Sequence, residues 1–326
     1  MKIAITVPAS AVPRSGNQHT AARWARFLRG MRHRVRIVKE WRGGHDDLLL
    51  ALHARKSAAS IQRFSDRRPA APIVVALTGT DLYRDIRTSA EARQSLGLAT
   101  RLAVLQDEGL RELSPFLRGK TRVVYQSSDT TLRHAPEKSC FRVAVIGHLR
   151  EEKDPFRAVM ALRRIARDTP VEVVQLGAAL NREMRVRARG WAKIERRYRW
   201  LGSVPHRTAM RWLASSHVLV VSSVMEGGAN VICEAARIGV PVLASRVPGN
   251  VGMLGRDYPG YFSLFDDRSL ARLIERCRTH APFYKKLRNA LLRRRALFAP
   301  SAERASLKHL LQGLSASSRR TKPNRR

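Results

Sequence analysis

The segment from Val218 to Ile238 constrains the chain most. It reads Val-Leu-Val-Val-Ser-Ser-Val-Met-Glu-Gly-Gly-Ala-Asn-Val-Ile-Cys-Glu-Ala-Ala-Arg-Ile. The apolar run Val218 to Val221 predicts a buried parallel strand. The stretch Ala229 to Ile238 predicts a helix that turns Val231, Ile232, Ala235 and Ile238 to a core. Two glycines and two glutamates therefore sit where a strand ends and a helix begins. In open α/β sheets that edge is where ligands bind. Gly227 and Gly228 allow close backbone approach, and the N–H groups near Ala229 and Asn230 suit an anion. Carboxylates beside an anion site make chemical sense when they accept hydrogen bonds from hydroxyls of the same ligand. Glu226 and Glu234 around a phosphate site thus point to a nucleotide-sugar. The alternative is a plain strand-turn-helix with solvated glutamates.

The strand-loop-helix pattern recurs along all 326 residues, enough for two α/β domains. Strands are expected at Lys2 to Val7, Arg34 to Lys39, Asp47 to Leu52, Ile73 to Leu77, Leu102 to Leu105 and Val123 to Tyr125. After a polar, Pro-containing linker at Thr131 to Ser139 the pattern restarts at Phe141 to Ile146. Further strands are expected near Val171 to Leu176, Tyr198 to Leu201, Val218 to Val221, Val240 to Ala244 and Tyr261 to Leu264. The expected architecture is two doubly wound domains with a cleft between them. The boundaries are 1–136 for the first domain and 137–297 for the second. Residues 298–314 form a last helix able to cross back to the first domain, and 315–326 a disordered basic tail.

Several loops at predicted strand ends offer polar groups. Gly16 and Asn17 lie between strand one and a helix expected at His19 to Leu28, whose first turn carries Thr20; Gly16 and Thr20 can meet a phosphate, and Asn17 serves equally well as a helix cap. His53 and Arg55 follow strand three. Thr78 to Asp85, with Thr80 and Asp81, follows strand four and can either cap a helix or contact a ligand. Arg150 and Lys153 follow Phe141 to Ile146, and fixed positive charge there suits a departing diphosphate. Val247 to Gly255, with three glycines, is expected to be a loop close to a ligand.

Composition excludes more than it assigns. No apolar stretch approaches a membrane span. Met1 to Val7 has neither the basic region nor the apolar length of a signal peptide. Cys140, Cys233 and Cys277 are odd in number and far apart, which indicates neither a disulfide framework nor a zinc site. A reduced cytoplasm is expected. The formal net charge of +36 comes from 62 Lys and Arg, of which 51 are Arg. Spread over nearly every predicted helix and without a nucleic-acid motif, this charge implies at most non-specific polyanion affinity. No Asp-x-Asp motif stands out, so neither a metal nor a cofactor is expected.

The segment that holds both glutamates, Ser-x-x-Glu-Gly-Gly followed by Glu-Ala-Ala-x-x-Gly-Val-Pro-Val-Leu-Ala-Ser, resembles the donor signature of GT-B glycosyltransferases of the retaining family 4 type. The resemblance implies that Glu226 faces the donor sugar and Glu234 the ribose. It also implies a metal-independent mechanism in which Lys153 falls on the family's diphosphate-binding lysine. The family arginine's position is taken by His148, with Arg150 two residues on. A wider set lies between residues 16 and 255. It includes Ala-Leu-His-Ala-Arg-Lys-Ser-Ala, Leu-Thr-Gly-Thr-Asp-Leu-Tyr-Arg-Asp-Ile, Gly-His-Leu-Arg-Glu-Glu-Lys-Asp-Pro and Pro-Gly-Asn-Val-Gly-Met-Leu-Gly. As a set it is similar to the selenosugar synthases of selenoneine biosynthesis. These transfer the sugar of a UDP-sugar, typically UDP-N-acetylglucosamine, to selenophosphate. The similarity implies selenophosphate synthase and selenoneine synthase as pathway neighbours. It places His53 and Arg55 on selenophosphate and makes Asp81 a candidate to orient water for phosphate release. The rival reading is a family 4 transferase acting on a lipid or glycan.

Overall fold

A computed structural model describes residues 1–8 and 16–314. The contacts divide the chain into two compact units. One comprises Met1–Leu105, Leu110–Val124 and the residues from Arg304 on; the other comprises Gln106–Gly109 and Tyr125–Glu303.

The first unit is built in the order β1 (Lys2–Thr6), α1 (Gly16–Gly30), β2 (Arg34–Val38), β3 (Leu48–Leu52), α2 (Ala58–Arg67) and β4 (Ile73–Leu77). A single π-helical turn, Asp81–Asp85, then leads into the short α3 (Ile86–Thr88). It is followed by α4 (Ala90–Leu98), β5 (Arg101–Val104), α5 (Pro115–Gly119) and β6 (Thr121–Val123). All strand pairs are parallel, in the order β2-β1-β3-β4-β5-β6. The unbroken apolar runs Leu-Leu-Leu-Ala-Leu and Ile-Val-Val-Ala-Leu form strands buried on both faces. Side chains alternate across the sheet. Leu48, Leu50 and Leu52 join Trp24 and Leu28 of α1, while Leu49 and Ala51 join Ile61 and Phe64 of α2.

The second unit runs β7 (Phe141–Ile146), α6 (Arg157–Leu162), β8 (Val171–Leu176), α7 (Arg182–Ile194), β9 (Tyr198–Trp200), α8 (His206–Ala214), β10 (Val218–Val221), α9 (Asn230–Ile238), β11 (Val242–Ser245), α10 (Pro248–Leu254), β12 (Tyr261–Phe262), α11 (Asp267–Thr279) and α12 (Ala281–Arg293). Its sheet is parallel too, in the order β12-β11-β10-β7-β8-β9. Counted from β7, that is the 3-2-1-4-5-6 order of a dinucleotide-binding fold read backwards. The last helix, α13 (Pro300–Leu311), sets Leu307, Leu310 and Leu311 into the first unit's core, with Leu314 just beyond it. Both units are thus Rossmann-like, and the chain has the GT-B fold class.

Some local expectations change. α1 begins at Gly16, so Asn17 lies inside its first turn and does not cap it. β6 ends at Val123, two residues short of Tyr125. Val247 to Gly255 is not a loop but helix α10 with Pro248 in its first turn. Pro282 and Pro300 likewise stand at helix starts, where proline lacks no needed N–H. The glycines of α10 are there for space. A Cβ on Gly249 would lie 1.6 Å from the Glu226 carbonyl oxygen, and one on Gly252 would lie 1.8 Å from Gln106 Oε1.

Candidate active site

In the second unit the strand order reverses between β7 and β10, so the loops leaving these two strands flank the crevice where such sheets bind ligands. Three hydrogen bonds join the loops. Ser222 Oγ contacts the carbonyls of Lys153 and Asp154 at 3.0 and 2.8 Å, and the Val224 N–H donates to the Glu152 carbonyl at 2.9 Å. Asp154 adopts a left-handed φ of 42° just after a 3₁₀ turn, Glu151–Lys153. The turn brings Lys153 Nζ into an ion pair with Glu226 Oε2. The same carboxylate oxygen accepts from Ser223 Oγ at 3.1 Å. Glu226 is 7 % exposed. A carboxylate this buried needs a partner charge and hydrogen bonds to offset its lost hydration, and it has both.

Arg150 is placed differently. Its side chain is 44 % exposed, and its guanidinium comes only within 4.0 Å of Glu152. His148 is engaged in loop packing. Its Nδ1 accepts from the Ala178 N–H at 3.2 Å, in a crossing so tight that a Cβ on Gly177 would meet the Gly147 carbonyl at 1.9 Å.

Helix α9 leaves the same loop. Its N-cap, Ala229, has no side chain to bond the first turn, which Asn230 opens. Gly227 and Gly228 do not take left-handed angles; what they contribute is the lack of a side chain beside this helix end. One turn into the helix, Glu234 Oε1 accepts from His206 Nε2 at 2.8 Å. The Glu234 side chain is 13 % exposed and that of His206 54 %. His206 was not legible as a site residue. The available signal was its place at the start of α8, after Pro205, on the same edge of the sheet.

In the first unit the order reverses between β1 and β3. Most of the loop after β1, residues 9–15, lies outside the described residues. At its end the Thr20 hydroxyl turns back to the Gly16 carbonyl at 2.9 Å, so it serves the helix. After β3, His53 is buried and holds a left-handed φ of 77°. Its Nδ1 accepts from the Lys56 N–H at 3.3 Å, which leaves Nε2 as the donor to Thr80 Oγ1 at 3.0 Å. Burial, the largest influence, lowers its pKa from 6.5 and outweighs nearby Asp81 and Asp85.

Asp81 is not placed to orient water. It has no exposed surface, and its carboxylate accepts the N–H groups of Thr78, Gly79 and Ala54 at 2.9, 2.8 and 3.0 Å. It staples the two loops together. Asp85, absent from the sequence-based set, accepts from Arg55 Nε at 2.8 Å and Arg84 Nε at 3.1 Å. Burial alone would raise the Asp85 pKa, but the bonds from Arg55 and Arg84 together hold it below its ordinary value. Arg55 therefore has a structural partner already, while its side chain stays 42 % exposed.

Residues 140–280, which contain the Lys153, Glu226 and Glu234 loops, match the family model described as glycosyl transferases group 1. The match lies within the second unit. Solved structures extend the likeness in fold to nearly the whole chain. Anabaena HepE in complex with UDP-glucose is 15 % identical, covers 95 % of this chain and 99 % of its own, and superposes with a TM-score of 0.76. The sucrose-phosphate synthase of Thermosynechococcus elongatus is 16 % identical, with coverages of 96 % and 98 % and a TM-score of 0.77. Staphylococcus aureus TarM, in complex with UDP and α-GlcNAc-glycerol, is 14 % identical and covers 81 % of this chain and 55 % of its own, with a TM-score of 0.63. At these identities the structures speak for the fold alone. No described helix is long and apolar enough to cross a membrane.

Proposed function

We propose that this protein is a glycosyltransferase that takes a UDP-sugar as donor and transfers its sugar to selenophosphate, as a metal-independent enzyme of the cytoplasm. The observation that carries the donor half is the part-buried Lys153–Glu226 pair at the reversal point of the second sheet, beside the N-terminus of α9. Lys153 and that helix end would take the diphosphate, whose charge grows as it departs. Glu226, once Lys153 turns to phosphate, would accept hydrogen bonds from the sugar. Glu234, steadied by His206, would accept from the ribose hydroxyls. Neighbours of like fold in complex with UDP-glucose or UDP support this assignment.

The acceptor half rests on the similarity to selenosugar synthases. Selenium would attack the anomeric carbon while the carbon–oxygen bond to UDP breaks. Water would then attack phosphorus and break the phosphorus–selenium bond, leaving a selenol and inorganic phosphate. The exposed part of Arg55 and the His53–Thr80 pair are the polar groups the first unit offers to a phosphate.

The test has two stages. Calorimetry should show UDP binding to the wild type. Glu234→Ala should weaken it by roughly ten- to a hundredfold, from the loss of about 1.5–3 kcal/mol of charge-assisted bonding. Wild type that binds no UDP would remove the donor assignment. UDP release from UDP-N-acetylglucosamine should then depend on selenophosphate and persist in EDTA. Release that needs a lipid or glycan in its place would overturn the acceptor assignment and leave the donor half intact.

A further inference from the structure

Beside Glu226, connected to it through Ser223, lies a layer of polar groups that the proposed transfer chemistry does not use. Ser245 ends β11 and Asn250 lies in α10; both are wholly buried. Asn250 Nδ2 donates to the Ser245 carbonyl at 2.9 Å and lies 3.1 Å from Ser245 Oγ. Ser245 Oγ donates to the Ser223 carbonyl at 2.5 Å, and Ser223 Oγ donates to Glu226 Oε2. From the same helix Gly249 presses its backbone against the Glu226 carbonyl, leaving no room for a Cβ. Glu226 is thus gripped at its carboxylate and at its backbone by one connected structure. Asn250 Oδ1 is buried with no hydrogen-bond partner. A buried acceptor without a donor is costly, so the amide contributes here through Nδ2.

We infer that Ser245 and Asn250 are positioning residues that, with Gly249, aim Glu226 at the sugar of the donor, and so determine how much the sugar adds to nucleotide binding. The inference rests on the donor reading above. Neither residue touches the Glu234–His206 pair in α9 and α8, so the nucleotide's own affinity is held independently.

Calorimetry of the full chain with UDP and with UDP-N-acetylglucosamine separates the two contributions. Ser245→Ala deletes one oxygen, and Asn250→Asp keeps the shape but replaces the donor that faces the Ser245 carbonyl. Each variant should bind UDP within about twofold of wild type while the sugar's added affinity falls by about tenfold. Groups acting through one element are non-additive. Ser223→Ala combined with Ser245→Ala should therefore lose less than the product of the single losses, and kcat should fall without a rise in the acceptor KM. If Asn250→Asp does not fold, Ser245→Ala decides. Variants that bind both ligands as wild type does, or that lose UDP and UDP-sugar affinity in equal measure, would overturn the inference. Wild type that binds neither ligand would instead remove the donor reading, and the inference with it.

Discussion

His53 holds a left-handed backbone angle while nearly the whole residue is buried. Such angles are strained for a residue other than glycine and persist only where surrounding contacts enforce them. Here the enforcing contacts are the Ala76 carbonyl on its N–H, the Lys56 N–H on Nδ1 and Thr80 on Nε2. Burial lowers the folded-state pKa below the unfolded 6.5. Between the two values the unfolded chain binds a proton that the folded chain does not. Stability from this group is therefore complete above pH 6.5 and is lost as pH falls through the lowered value. Thermal unfolding at pH 7.5 and 5.5 should show a smaller acid-induced drop in Tm for His53→Asn than for wild type, since Asn tolerates the left-handed angle and does not titrate. Equal drops would mean that His53 binds its proton alike in both states. The histidine's place at a strand end was readable from the sequence. Its tautomer and its pKa direction were not, because the first depends on Thr80, which a separate strand delivers, and the second on burial in the folded chain.

At the scale of elements, proline and glycine positions divide the legible from the illegible. Pro248, Pro282 and Pro300 all open helices. The glycines around Pro248 argued for a loop, because a helical glycine costs about 1 kcal/mol relative to alanine when nothing else is at stake. Packing reverses that preference where a side chain has no room. Two glycines of the second unit make the contrast testable. Gly177 has a φ of 145° and abuts the Gly147 carbonyl, whereas Gly190, inside α7, has nothing within 4 Å of where a Cβ would sit. Gly177→Ala should destabilise the protein by at least ~1–3 kcal/mol. Gly190→Ala should stabilise it by about 0.5–1 kcal/mol. Urea unfolding of the two variants checks both signs, and a stable Gly177→Ala would show that the crossing of the β7 and β8 loops yields easily.

For the whole molecule, the chain's last described helix matters most. It follows the second unit in sequence, yet Leu307, Leu310, Leu311 and Leu314 fill the first unit's core beside Trp24 and Leu28. Leu310→Ala should cost about 2–5 kcal/mol, as for other large-to-small changes in cores. The loss should appear in the unfolding transition of the first unit when urea melts are followed by probes placed in each unit. A variant unchanged in stability would mean that the helix docks without contributing to that core. Deletion of 315–326, which lie outside the described residues, should leave turnover intact, since so polar a segment has little apolar area to bury.

The sequence by itself determined the alternation of apolar strands and amphipathic helices. That alternation requires parallel sheets covered on both faces, and it brings strand-end loops with Lys153, Glu226 and Glu234 to a ligand-binding edge. These features are local, since a run of five apolar residues or a strand-glycine-helix junction carries its own periodicity. Only the tertiary structure decided the partners. It joined Lys153 to Glu226, set His206 against Glu234, placed Ser245 and Asn250 behind Ser223, and closed Asp81 among three backbone donors. Apart from the bonds of Asp81 to Thr78 and Gly79 and of Asn250 to Ser245, these pairings link segments that leave different strands. Which strands become neighbours depends on how the sheet winds, and no local pattern of residues records that.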